Sequence, residues 1–85
     1  MNEIRREELY AVIRQAAKIP AHVLINDSSR FVQDLGVDSL DLVGVLLSIQ
    51  DNYDFELTDD EIGAIASVGD VLNLMSQRGL KLSAA

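Results

Sequence analysis

The sequence contains no cysteine, and only one proline and one histidine in 85 residues. Without cysteine the chain can form neither a disulfide nor a thiolate metal site, so any thiol chemistry has to come from a group attached to the protein. The histidine, His22, lies two residues after Pro20 in a predicted loop, and the sequence places no serine or cysteine nucleophile beside it. A catalytic triad is therefore not expected.

Basic residues are also scarce. The chain has seven Lys and Arg against 14 Asp and Glu, which gives a formal net charge of -7 at pH 7. The imbalance is local, because residues 34–76 hold ten acidic side chains and no basic one. Such a surface repels phosphate backbones and anionic lipid. Nucleic acid is therefore the least expected ligand, and a basic protein face is the expected partner.

Long hydrophobic runs are missing as well, although 48% of the residues are hydrophobic. The longest nearly apolar stretch, residues 42–47, is far too short to cross a bilayer, and the mixed charges of residues 1–8 do not form a signal peptide. The high apolar content excludes an intrinsically disordered acidic tail. We expect one folded domain over residues 1–85, monomeric, cytoplasmic and without membrane insertion.

Apolar spacing predicts an all-α fold, a small four-helix bundle with a short third helix and a long first loop. Asn2, Asp38, Thr58 or Asp59, and Ser67 are suitable N-caps for the four helices. Residues 80–85 are expected to form a frayed tail after Gly79 ends the fourth helix. The predicted helices cover about residues 2–18, 39–53, 59–66 and 68–78.

The long first loop, residues 19–38, contains enough apolar side chains to be held against a core. Loops of this length in a compact domain need anchors or a function. We therefore expect an ordered loop. The side chains predicted to anchor it are Val23, Leu24, Ile25, Phe31, Val32 and Leu35.

The second helix is apolar nearly all round, so it is either central or exposes an apolar face. Its interior glycine, Gly44, costs about 1 kcal/mol relative to alanine, which we interpret as tolerated for a close contact. Leu42 and Leu47 are expected to be exposed near the start of the helix. The residues predicted to form the core are Leu9, Ile13, Leu40, Val43, Leu46, Ile65, Val68 and Leu72.

The start of the second helix places a serine hydroxyl where a phosphate ester would be favoured. With Asp38 as the cap, Ser39 is free, and the unpaired N–H groups and positive dipole end of a helix stabilise a phosphate. Gly36 would provide a sharp turn just before it. The alternative is that the Asp-Ser pair only caps the helix.

The run from Asp34 to Asp41, followed by an apolar helix and an acidic turn from Asp51 to Glu61, resembles the acyl carrier protein family over nearly all of the chain. The resemblance implies that Ser39 receives 4′-phosphopantetheine from coenzyme A through a separate phosphopantetheinyl transferase. Asp38 would help the transferase and its magnesium ion to engage the site. The arm would carry acyl groups as thioesters for partner enzymes, while the protein itself is not an enzyme.

The same resemblance implies docking to acyl-ACP synthetase, ketosynthase or acyltransferase enzymes with basic faces. In that family the bundle can also open to shelter an acyl chain. Gly44, Gln50 and Asn52 stand where carriers of fatty acid synthesis usually have acids, which favours a specialised rather than a housekeeping carrier, in fatty acid, polyketide or specialised lipid biosynthesis. The predicted partner-binding residues are Leu40, Asp41, Leu42, Leu47, Asp51, Glu56 and Asp60.

The acidic turn does not match a metal site. Six carboxylates fall within residues 51–61, but in an EF-hand beginning at Asp51 the residues Tyr53 and Phe55 would occupy ligand positions and the central glycine is missing. No metal is expected. Two other functions stay open, an unmodified acidic helical adaptor or structural subunit and an aminoacyl carrier. A hydrolase with Ser39 as nucleophile lacks a base and an oxyanion site.

Overall fold

The computed structural model describes residues 3–82. Within this range four helices form the fold, and a pair of very short strands joins the two ends of the described chain. The elements in chain order are β1 (Glu3–Ile4), α1 (Arg6–Ala17), α2 (Ser39–Tyr53), α3 (Asp59–Ala64), α4 (Val68–Gln77) and β2 (Lys81–Leu82). This order confirms the predicted all-α class with a short third helix and a long first loop.

The first helix begins later than the sequence predicts. Glu3 and Ile4 are extended and pair in parallel with Lys81 and Leu82, so the helix can start only at Arg6. The N-cap residue is Arg5, which caps without a side-chain hydrogen bond. The predicted cap Asn2 lies outside the described residues. A start near residue 2 is therefore wrong, because pairing with residues 81–82 takes Glu3 and Ile4 out of the helix.

The strand pairing also corrects the prediction of a frayed tail over residues 80–85. Leu80 is buried, and Lys81–Leu82 forms β2 against β1. Ile4, on the neighbouring strand, is 1% exposed. Residues 80–82 are thus part of the fold, since they cover core that the helices leave open. Residues 83–85 lie outside the described part of the chain.

Three helices begin with the side-chain caps that the sequence predicts. Asp38 accepts a hydrogen bond from the Asp41 N–H at 2.8 Å. Thr58 begins α3 and Ser67 begins α4, each in a capping box with the acidic residue three positions later. Such caps satisfy N–H groups that have no acceptor inside the helix. They fix where α2, α3 and α4 start to within one residue of the prediction.

The core is built around one face of α2. Val45, Leu46 and Ile49 are fully buried, and Leu42 packs half-buried one turn before them. Other apolar residues of the helix point outward. The face is therefore defined by the spacing 42, 45, 46 and 49, as expected for a helix with one buried stripe.

This choice of face corrects part of the predicted core. Leu40 is 84% exposed and Val43 is 44% exposed, so neither belongs to the core. Leu42, predicted to be exposed, instead packs against the core, and Leu72 is half-buried. The spacing could not select the face because α2 is apolar nearly all round. The members of the predicted core that are buried are Leu9, Ile13, Leu46, Ile65 and Val68.

The long first loop is ordered, as predicted, and backbone hydrogen bonds join it to the start of α4. Phe31 N–H donates to the Ala66 carbonyl and Val68 N–H donates to the Ser29 carbonyl, both at 3.0 Å. Gly69 N–H donates to the Asp27 carbonyl at 2.7 Å. A Cβ on Gly69 would lie 3.1 Å from that oxygen, so a larger residue would push the loop away.

Only some of the predicted loop anchors are buried. Ile25, Phe31 and Leu35 are in the core, and Val23 is half-buried against it. Leu24 and Val32 are 83% and 57% exposed, so the prediction is wrong for these two residues. In an irregular segment the side chains follow no fixed period, and only the backbone path decides which of them face inward.

Candidate functional site

Ser39 is the first residue of α2 and is exposed to solvent. Asp38, in extended conformation, supplies the cap, so the serine side chain is not needed for that role. The N–H groups of the first residues of a helix have no intrahelical acceptor, and the helix dipole is positive at this end. The position therefore favours a phosphate ester on the Ser39 oxygen.

The loop before Ser39 is held firmly. Gly36 has φ +68°, which a residue with a side chain adopts only with strain, and it makes the predicted turn. Next to it Val37 is buried, and its N–H donates to the Phe31 carbonyl at 2.8 Å. The chain thus passes from a core anchor to an exposed serine within two residues, and this fixes where the hydroxyl is presented.

Arg30 and Asp34 form an ion pair in the same loop, a few residues before Ser39. Arg30 donates to both carboxylate oxygens of Asp34, at 3.1 and 3.2 Å, and its own backbone N–H donates to Asp34 at 2.8 Å. These bonds from Arg30 lower the pKa of the Asp34 carboxyl. Both side chains are well exposed, so the pair orders the backbone rather than adding much stability.

A second polar cluster attaches the loop to α1. Asp27 accepts hydrogen bonds from the Tyr10 hydroxyl and from Arg6 Nε, the latter at 2.8 Å. Burial, together with the hydrogen bond and negative charge of Asp27, raises the pKa of Tyr10 to about 12. Burial also acts to raise the pKa of Asp27, but the bonds from Tyr10 and Arg6 outweigh it and lower that pKa.

An exposed apolar surface follows Ser39 along α2. Leu40, Val43 and Leu47 are 84%, 44% and 55% exposed and share one side of the helix with Gly44. We call these four residues the apolar strip. A Cβ on Gly44 would meet no atom within 4 Å, so the close contact predicted for this glycine does not exist.

The structure separates the predicted partner-binding residues into three groups. Leu40 and Leu47 lie on the apolar strip, while Leu42 faces the core. The predicted acidic members are exposed, on α2, in the α2–α3 connection and on α3. They are Asp41, Asp51, Glu56 and Asp60.

Val43 is not predicted from the sequence as a surface residue. Its spacing of three from Leu40 and four from Leu47, both exposed, is the signal that could have found it.

One carboxylate of the acidic turn, that of Glu61, makes hydrogen bonds within the fold. Glu61 accepts from the Thr58 N–H at 2.9 Å and from Arg78, which follows α4. The hydrogen bond from the Thr58 backbone, followed by that from Arg78, lowers the pKa of Glu61.

Within residues 3–82 no group of three or more His, Cys, Asp or Glu side chains is arranged to hold a metal ion. No helix of that same span is long and apolar enough to cross a membrane.

The helical bundle presents, at the exposed start of α2, a serine position where a phosphate-linked group would be stabilised. The family model for the phosphopantetheine attachment site matches residues 7–75 of this chain. The chain therefore belongs to the acyl carrier protein family, whose members carry 4′-phosphopantetheine and are not catalysts. The serine, the cap and the open surface around them fit that group.

Named relatives agree with this assignment. The chain is 32% identical to the acyl carrier protein of Helicobacter pylori over 74 residues, which is 87% of this chain and 94% of that one. It is 41% identical to the acyl carrier protein of a Sulfurovum species over 51 residues, which is 60% of this chain and 68% of that one. A solved structure described as a candidate acyl carrier protein of Mycobacterium tuberculosis superposes with a TM-score of 0.71 at 26% identity, covering 85% of this chain and 95% of that one.

Proposed function

We propose that Ser39 is the residue that carries 4′-phosphopantetheine, so that the protein holds acyl intermediates as thioesters for partner enzymes. The observation that carries this proposal is the position of Ser39, exposed as the first residue of α2 inside the segment matched by the family model. When bound, the group supplies the thiol that the sequence lacks.

The residues around Ser39 prepare it for modification. In the reaction the Ser39 oxygen forms a bond to the phosphorus of coenzyme A that bears the pantetheine arm, and the pyrophosphate bond from that phosphorus to the bridging oxygen breaks. The adenosine bisphosphate part leaves with the bridging oxygen, and the serine proton passes to a base of the transferase or to water. Asp38 holds the helix start through its bond from the Asp41 N–H, which keeps the serine outside the cap. We assign the same Asp38 carboxylate to transferase engagement, because it is exposed beside the reacting oxygen.

The docking surface in this proposal combines the apolar strip with the exposed acidic groups. Apolar contacts at the strip supply buried area, and Asp41, Asp51, Glu56 and Asp60 attract a basic partner face. The described residues 34–76 contain no basic side chain that would compete for these carboxylates. Phosphopantetheinyl transferase and acyl-transferring enzymes with basic docking faces are the partners of this proposal.

A specialised carrier is the narrower part of the proposal. The exposed side of α2 has leucine, valine and glycine where an acidic docking helix would have carboxylates. We therefore propose that the protein works with acyl-transferring enzymes of its own, in fatty acid, polyketide or specialised lipid synthesis. The compartment in this proposal is the cytoplasm. Exchange with the primary enzymes of fatty acid synthesis at full rate would contradict this placement.

Intact mass spectrometry tests the proposal. The chain is incubated with coenzyme A and a broad-specificity phosphopantetheinyl transferase, and we expect the mass of one phosphopantetheine group to be added. Ser39→Ala should abolish the addition and leave the circular dichroism spectrum unchanged. Ser76→Ala, at an exposed position in α4, is the matched control and should accept the group. A wild-type chain that stays unmodified would favour the acidic adaptor instead.

The group that the protein carries as a thioester is identified on protein purified from its own host. Release of the thioester and mass analysis distinguish an acyl from an aminoacyl group. A fatty or polyketide acyl chain is the expected result. An amino acid on the arm would replace that part of the proposal with the aminoacyl carrier.

A further inference from the structure

The first turn of α2 has no anchor of its own in the core. The side chains of residues 38–41 are exposed, and the first fully buried side chain of the helix is that of Val45. The nearest buried side chain before Ser39 is that of Val37, which is 2% exposed. A helix end with few buried contacts is held mainly by the chain that leads into it. The position of Ser39 therefore depends on what holds the loop at Val37.

Two backbone hydrogen bonds in series connect Val37 with the start of α4. Val37 N–H donates to the Phe31 carbonyl at 2.8 Å, and Phe31 N–H donates to the Ala66 carbonyl at 3.0 Å. The Phe31 side chain is fully buried, so the residue that joins the two bonds is itself fixed. Ala66 stands immediately before Ser67, the N-cap of α4. A displacement of the start of α4 is therefore passed to Val37 and, two residues further on, to Ser39.

The start of α4 also touches the loop at a second point, where a side chain would be crowded. Gly69 N–H donates to the Asp27 carbonyl at 2.7 Å, and a Cβ on Gly69 would lie 3.1 Å from that oxygen. Asp27 is held from its other side, because its carboxylate accepts hydrogen bonds from Tyr10 and Arg6 of α1. A methyl group at position 69 would therefore displace the start of α4 together with the loop residues bonded to it.

We propose, on the basis of the function proposed for Ser39, that Gly69 is a positioning residue for the modification of this serine. The close fit at Gly69 sets the distance between the start of α4 and the loop, and the two hydrogen bonds of Phe31 carry that distance to the start of α2. Gly69 belongs to a different helix from Ser39 and acts only through the loop. It affects how fast a bound transferase reacts, and not how tightly the transferase binds.

Steady-state kinetics with coenzyme A and a broad-specificity phosphopantetheinyl transferase test the proposal. A misplacement of about 1 Å can cost roughly 100-fold in rate. Gly69→Ala requires a displacement of only a few tenths of an ångström, so we expect kcat to fall roughly three- to tenfold. KM for the carrier chain should stay within about twofold of the wild-type value, because the exposed surface of α2 is unchanged. Partial unfolding would instead raise KM and leave kcat unchanged, since only the folded fraction binds the enzyme.

Gly63→Ala is the matched control. It adds the same methyl group to a helix, but Gly63 lies in α3, where a Cβ would meet no atom within 4 Å. We expect kcat and KM of this variant to stay within about twofold of the wild-type values. An equal fall of kcat in Gly63→Ala and Gly69→Ala would overturn the proposal, since the added methyl group alone would then explain the effect.

Hydrogen exchange gives a readout that does not depend on the transferase. The Val37 N–H should exchange faster in Gly69→Ala than in the wild type, because its bond to Phe31 is the last one before Ser39. An unchanged kcat, a raised KM alone, or an unchanged exchange rate at Val37 would each overturn the proposal. The function proposed for Ser39 fails separately, because in that case the wild-type chain is not modified at all.

Discussion

Replacing Phe31 tests whether the long first loop is part of the core. Phe31 is 0% exposed and lies in a segment without helix or strand, yet both of its backbone polar groups are paired, with Ala66 and Val37. If the loop were only a connection on the surface, truncating this side chain would have little effect on stability. If the loop is core, the truncation leaves a cavity.

The expected magnitude follows from burial. Truncation of a fully buried phenylalanine to alanine costs about 3–5 kcal/mol, whereas a domain of this size has a total stability of roughly 4–13 kcal/mol at 0.05–0.15 kcal/mol per residue. Phe31→Ala should therefore remove a large fraction of the free energy of unfolding. Phe31→Leu, which keeps most of the volume, should cost about 1–2 kcal/mol and stay folded. Val32→Ala, at the adjacent exposed position, should change stability by less than about 0.5 kcal/mol.

Urea unfolding followed by far-UV circular dichroism measures all three variants. Hydrogen exchange adds a local measurement, because the Val68 and Gly69 N–H groups donate to loop carbonyls and should exchange faster in Phe31→Leu. A cost below about 1 kcal/mol for Phe31→Ala would refute the reasoning. So would equal costs for Phe31→Ala and Val32→Ala, since burial alone distinguishes the two positions.

Three other predictions concern the helices and the polar cluster on α1. Asp38→Ala should lower the free energy of unfolding by about 1 kcal/mol through loss of the cap. Asp38→Asn keeps the cap and, under the role proposed for the carboxylate, slows only the modification. Urea unfolding measures the first effect, and intact mass measures the second. Gly44→Ala should raise the free energy of unfolding by up to about 1 kcal/mol, and no gain in thermal stability would refute the open, helical geometry of this site. The raised pKa of Tyr10 stabilises the fold below pH 10.0, and this contribution is lost as the pH rises toward about 12. The lowered pKa of Asp27 stabilises the fold above pH 3.8, and this contribution is lost as the pH falls further. Tyr10→Phe should therefore reduce the loss of stability between pH 10 and 12 measured by urea unfolding, and an unchanged profile would contradict the assignment.

Much of the helical framework could be predicted from short-range chemistry. The caps at Asp38, Thr58 and Ser67 depend on a side chain and an N–H group only a few residues away, so their effect is present in the local sequence. The position of Ser39 at the start of a helix follows from the same cap. The turn at Gly36 could be predicted as well, because it needs only a residue that tolerates positive φ.

The errors lie where distant parts of the chain compete for the same residues. The first helix begins at Arg6 because residues at the other end of the chain pair with Glu3 and Ile4. No local pattern could show this pairing, since its hydrogen bonds join segments nearly eighty residues apart. The same pairing orders Leu80, whose burial depends on core that the helices leave uncovered.

The sequence by itself determined the class of fold, the ordered loop and a serine presented at a helix start, because apolar period, capping and turn chemistry act over a few residues. Only the tertiary structure decided which face of α2 is buried. Leu40 and Val43 are as apolar as Leu42 and Val45, so the free energy of burying either face is similar until α1 and the loop pack against one of them. That packing leaves the apolar strip open beside Ser39.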